Sequence, residues 1–141
     1  MNTEVLLASM NENRQPCMET LGSGTIVLVD RNAELVRIEF TANKAHCHSG
    51  NVVQGGFVAG WLDSAMALAV TTRSDRSLYP ATLELKTSYL KSAHPGVYYA
   101  EGWIEQMGKS VAFLEARLLD TEGTLIAKGS STARLLVNKV P

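Results

Sequence analysis

The sequence predicts an α+β domain in which one antiparallel sheet of about six strands wraps around a single long central helix. Three observations predict it. Residues 55–72 are rich in Ala, Leu and Met, contain no Pro and are apolar around most of the circumference, so a helix there must be buried. Two β-like stretches precede this segment and four follow it. The last four are joined by short connections at His94-Pro95-Gly96, Met107-Gly108-Lys109 and Thr121-Glu122-Gly123, and short connections make neighbours antiparallel. One sheet curled around one helix is the economical way to bury that helix.

The elements follow in order. Residues 3–12 carry Val5, Leu6 and Met10 at helical spacing, which predicts a short amphipathic N-terminal helix. Pro16 ends that possibility, because its ring and missing N–H are poorly tolerated inside a helix. Residues 24–30 and 34–41 read as strands joined at Asp30-Arg31-Asn32. The next segment, small and polar, reads as a long loop leading to the helix that starts at Gly55. Strands are then expected over 81–91, 96–106, 110–120 and 124–137. No repeat, low-complexity tract or linker interrupts the chain, so residues 1–141 are expected to form a single domain.

Composition narrows the class of function. Apolar residues are 45% and charged residues 19% of the chain, which is globular rather than disordered. A formal charge of −1 with scattered basic residues gives no footprint for nucleic acid or an anionic membrane. Cys17 and Cys47 form no disulfide framework and read as reduced thiols. The N-terminus lacks the basic start and apolar run of a signal peptide, and the apolar stretch Phe57 to Val70 is too short to span a bilayer. A cytoplasmic protein is expected.

Asp63 is the most informative residue. It lies in the third turn of the long helix, too far in to cap it or to complement its dipole. Its helical neighbours Ala59, Gly60, Met66 and Ala67 cannot pair with a carboxylate, so it must face a cavity or find a partner elsewhere. Gly56, Gly60, Asp63 and Ala67 make one stripe, small apart from the acid. Glycines inside a helix each cost about 1 kcal/mol relative to Ala, so a closely packed backbone or a ligand is expected along that face. Gln54-Gly55-Gly56 places two residues without side chains at the helix N-terminus, where free amides can receive the charge of a tetrahedral oxyanion. The pairing of a carboxylate with such donors suits acyl transfer.

Other chemistries fit less well. His46-Cys47-His48 invites a metal, but no further ligand has a recognisable spacing, so no metal is expected and one of these loop histidines could line the site. Gly108-Lys109-Ser110 resembles the end of a phosphate-binding loop, yet Trp103 stands where that motif needs Gly. No Gly-x-Ser-x-Gly marks a serine hydrolase.

The stretch HSGNVVQGGFVAGWLDSAMALA, residues 48–69, resembles the hot-dog-fold acyl-CoA thioesterases, in the branch of the phenylacetate-pathway and second-type hydroxybenzoyl-CoA thioesterases. Further likeness extends from about Pro16 to Leu136, through ATLELKTSYL and GTLIAKGSSTARL. The resemblance implies hydrolysis of an acyl-CoA to free acid and CoA without a cofactor, in a homodimer or homotetramer. It implies that Asp63 activates water or attacks the thioester carbonyl, that the Gly55 amide holds the oxyanion, and that Thr82 helps to hold the water. It further implies polar support from Gln54 and His48 and substrate contacts at Gly56 and Asn51, with Lys109 toward the CoA phosphates. Trp61, Phe57 and Met66 could line the acyl pocket, and core packing explains all three equally well. Gln54 departs from the family's usual His, and His48 falls where the family often has Asn or Gln. Two alternatives accompany this reading: a non-catalytic acyl-CoA binding module and an enoyl-thioester hydratase on the same fold. The second needs a His beside the acid, and the helix carries none.

Overall fold

A computed structural model describes residues 1–139 of the chain. Two short helices, α1 (Thr3–Glu12) and α2 (Pro16–Thr20), lead into strands β1 (Thr25–Asp30) and β2 (Leu35–Ala42). A two-stranded ribbon, β3 (Cys47–His48) and β4 (Val52–Val53), comes before helix α3 (Gly55–Arg73). Strands β5 (Leu78–Tyr89), β6 (Gly96–Met107), β7 (Val111–Asp120) and β8 (Leu125–Val137) complete the chain. The main sheet is six-stranded in the order β1-β2-β6-β7-β8-β5, with all pairs antiparallel. It curls around α3 in the hot-dog arrangement expected above.

Two expectations need correction. Pro16 does not only stop a helix: it opens α2 at its first turn, where its missing N–H costs nothing. The segment before α3 is not a plain loop but a ribbon held at both edges. Val53 donates its N–H to Ala93 O at 2.8 Å, and Gln54 donates to His46 O at 2.9 Å. These bonds fix where α3 begins.

The core lies between the sheet and α3. Trp61 is fully buried and stacks between Phe40 and Tyr98, with ring centroids 5.7 and 5.8 Å away. Its Nε1–H donates to Leu21 O at 2.6 Å, which satisfies the one polar atom of the ring. Gly102 of β6 lies directly beneath the helix. A Cβ there would stand 2.4 Å from the Ala65 carbonyl carbon, so only glycine lets sheet and helix backbones approach so closely. Gly60, expected to make room for a backbone or ligand, is instead covered by the Leu21 side chain, 3.0 Å from where its Cβ would be.

The sheet's outer face carries a charged ladder with no signal in the sequence pattern. Arg37, Glu101 and Arg117 face one another across β2, β6 and β7. Glu101 is almost wholly buried and takes Arg37 Nη2 and Arg117 Nε, each at 2.6 Å. Burial pushes its carboxyl up, but the hydrogen bonds from Arg117 and Arg37 outweigh this and hold it below the usual range.

Candidate active site

Helix α3 and the edge strand β5 present Asp63 and Thr82 to each other. Thr82 Oγ1 donates to Asp63 Oδ1 at 2.9 Å. The partner that the helix itself could not supply therefore comes from the next strand. A bulge follows at once: Thr82 pairs with Ala133 and Glu84 with Thr132, leaving Leu83 extra. Such bulges re-aim neighbouring side chains and commonly adjoin functional sites. Asp63 is half-buried, and its second carboxylate oxygen has no hydrogen-bond partner among the described residues.

The helix start sorts its own amides. Gln54 is the cap, and its Oε1 accepts from the Gly56 N–H at 2.7 Å. The Phe57 N–H donates to Gln54 O at 3.0 Å. The Gly55 N–H is left without an acceptor among the described residues. Tyr89, at the end of β5, donates its hydroxyl to Gly55 O at 2.6 Å. Gln54 and Tyr89 thus grip the two ends of one peptide unit, the C=O of Gly55 and the N–H of Gly56, and so hold the open donor in a fixed direction. Tyr89 escaped the sequence reading because it lies 34 positions from Gly55. The tyrosine ring also explains the glycine, since a Cβ on Gly55 would stand 3.1 Å from its hydroxyl.

The histidines serve the loop. His46 is buried; its Nδ1 accepts from Asn43 N–H at 3.0 Å and its Nε2 donates to Thr20 O at 2.9 Å. Both ring nitrogens are engaged, so neither offers a lone pair to a metal. His48 is exposed on β3, on the ribbon that precedes Gln54. Asn51 is exposed with a left-handed backbone, φ 54°, and its carbonyl accepts from His94 Nδ1 at 3.0 Å. His94 is a further residue that the spacing did not flag.

The other expected site residues are dispersed. Gly56 sits in the first turn of α3 beside the open donor. Met66 is fully buried in the core cluster, with the Ser131 hydroxyl 3.3 Å from its Sδ. Trp61 is likewise core. Lys109 is exposed on the β6–β7 turn. The registers Ala81–Arg134 and Arg134–Val111 place that turn at the same end of the sheet as Thr82.

Helix α3 thus carries, inside a curled sheet, a carboxylate hydrogen-bonded across to β5 and, at its start, an open amide. A profile of the thioesterase superfamily matches residues 50–127, more than half of the chain. The chain belongs to this superfamily. A protein of Saccharolobus solfataricus named as a candidate esterase is 28% identical over 103 residues, covering 73% of each chain. A structure from Ralstonia eutropha, described as a candidate thioesterase related to phenylacetic acid degradation, is 26% identical with a TM-score of 0.81; the match covers 92% of this chain and 98% of that one. The Escherichia coli PaaI protein from the phenylacetic acid degradation operon shares the fold at 16% identity and a TM-score of 0.81, covering 94% and 92%. No helix among the described residues is long and apolar enough to cross a membrane.

Proposed function

We propose that the protein hydrolyses acyl-CoA thioesters at a site made by two copies of the chain, with Asp63 from one and the Gly55 amide from the other. The observation that carries this is the hydrogen bond from Thr82 to Asp63 Oδ1, which leaves the other oxygen free. Thr82 donates to the carboxylate and keeps its lone pairs for a water, so a water held by Thr82 lies beside the free Asp63 oxygen. Asp63 takes a proton as the water oxygen bonds to the thioester carbonyl carbon. The Gly55 N–H receives the developing oxyanion. Collapse breaks the C–S bond, and the departing thiolate recovers the proton from Asp63.

Helix geometry argues for two chains. Asp63 follows Gly55 by eight residues, which at about 1.5 Å per residue is about 12 Å along the axis. One carbonyl cannot touch both within a chain. The edge strand β5 is long and carries exposed Leu83 (63%) and Tyr89 (53%), with Leu90 just beyond, and such an edge is ordinarily paired or covered. Pairing two β5 edges in a homodimer would bring each open amide toward the partner's carboxylate; two dimers would make the tetramer. Lys109 serves the CoA phosphates in this reading, and no metal or cofactor takes part. The hydratase alternative needs a histidine beside the acid, and α3 carries none: His46 is committed to Thr20 and Asn43, His94 to Asn51, and His48 stands on β3 outside the helix.

A panel of acyl-CoA thioesters, followed by release of free thiol, tests the activity. Turnover of at least one thioester, unaffected by EDTA, is the expected result. A panel bound but never hydrolysed would make the protein an acyl-CoA binding module.

A further inference from the structure

A cavity of about 480 Å³ lies along α3, within the range of about 300–1,000 Å³ usual for ligand pockets; Asp63 and Thr82 do not line it, but residues close to them in sequence do. Its lining includes Ser64 and Ala67, the latter one turn beyond Asp63, and Pro80, two residues before Thr82. Its lining from α3, Ser64, Ala67, Leu68 and Thr71, runs along the helix away from Gly55, starting at the residue next to Asp63. Met18, Ile26 and Leu68 make much of its wall apolar.

Two arginines, Arg14 and Arg76, are among the residues that line this apolar space. Arg76 lies thirteen residues past Asp63, just beyond the C-terminus of α3, at the end remote from the carboxylate. Its backbone is left-handed, φ 68°, with its N–H donating to Thr71 O at 2.8 Å. Helix ends of this kind ordinarily use glycine, so an arginine there costs backbone strain that its side chain must justify. Arg76 Nη1 donates to Ser9 Oγ at 2.7 Å, which fixes the guanidinium from α1. Arg14 is held by Ser23 O and Thr25 Oγ1. Among the described residues Arg31, Arg37, Arg73 and Arg117 each have a carboxylate partner, whereas Arg14, Arg76 and Arg134 have none, and of these three Arg14 and Arg76 line the cavity. Two anchored cations without counter-ions, at the border of an apolar cavity, fit an anionic group on whatever enters it. The guanidinium fork matches a carboxylate.

We propose that this cavity receives the acyl group and selects thioesters of medium-length dicarboxylic acids, whose free carboxylate reaches Arg76 and Arg14. The inference rests on the hydrolase reading above. Its test compares kcat/KM for suberoyl-CoA with that for octanoyl-CoA, which has the same chain length but ends in a methyl. The wild-type enzyme is expected to favour suberoyl-CoA at least about tenfold, the worth of a charge-assisted hydrogen bond. Arg76→Gly removes the guanidinium and relieves the left-handed backbone; Arg14→Gln removes the other. Each variant is expected to lower the suberoyl-to-octanoyl ratio about tenfold, and the double variant further. A wild-type preference for octanoyl-CoA, or a ratio that neither variant moves, overturns the proposal and leaves the hydrolase standing. Absence of turnover with every thioester overturns both.

Discussion

Replacing Asp63 by asparagine is expected to lower kcat by about 10²- to 10⁴-fold, the usual worth of a general base. The amide has the size of the acid, and its Oδ1 can still accept from Thr82 Oγ1 as the carboxylate does at 2.9 Å. The helix–strand contact is therefore retained. What disappears is the carboxylate oxygen proposed to take the proton of the attacking water. Binding of a non-hydrolysable acyl-CoA analogue is expected to stay level or to tighten, since removing a charge from a half-buried site relieves desolvation. Single-turnover kinetics and a binding isotherm on the same preparation separate the two effects. Near-normal turnover in a well-folded Asp63→Asn protein would remove the carboxylate from the mechanism.

Gly55→Pro is expected to lower kcat by about 10²- to 10³-fold, as the loss of one oxyanion donor does elsewhere. Proline at the first helical position is well tolerated, and the preceding Gln54 already has the extended backbone that a proline requires, φ −63° and ψ 135°. The substitution deletes the one amide that the helix start leaves open. Its Cβ also meets Tyr89, so Gly55→Ala is the necessary companion: it brings the same contact, 3.1 Å to the tyrosine hydroxyl, but keeps the N–H. The alanine variant is expected to retain markedly more turnover than the proline variant. Equal losses in both would assign the effect to displacement of Tyr89 instead.

Much of the fold was legible because its signals are local. A long Pro-free apolar segment makes α3, and turn residues at fixed places separate β5 to β8. Boundaries moved by only a few residues: β5 starts at Leu78 instead of position 81, and α3 ends at Arg73. What the pattern missed depends on distant partners. Helix α2 is only five residues long, too short for a period, and begins at a proline that read as a stop. The ribbon Cys47–His48 with Val52–Val53 is fixed by Ala93 and His46. The meaning of Gly60 lay in Leu21, and that of Glu101 in two arginines on neighbouring strands.

The same division runs through the candidate site. Asp63 and the Gly55 amide stood out because each breaks a local rule: an acid inside an apolar helix, and paired glycines where a helix starts. Thr82 came from resemblance alone, since nothing in ATLELKTSYL says which side chain faces the helix. Tyr89 and Arg76 carried no signal until the strand register and the helix end brought them to their neighbours. Met66 and Trp61 were open between a pocket wall and the core, because sequence alone cannot tell the two apart, and in the fold both are fully buried.

The shared site is tested most directly by mixing two inactive proteins. Asp63→Asn retains the open amide, and Gly55→Pro retains the carboxylate. If each site takes its acid from one chain and its amide from the other, unfolding and refolding an equal mixture gives dimers of which half are mixed, each with one intact site of two. Thiol release from an acyl-CoA is then expected to recover to about a quarter of the wild-type rate, the fraction that random pairing in a two-fold dimer allows. A mixture no more active than its components would contradict the account, because it would mean that Asp63 and Gly55 do not meet across two chains.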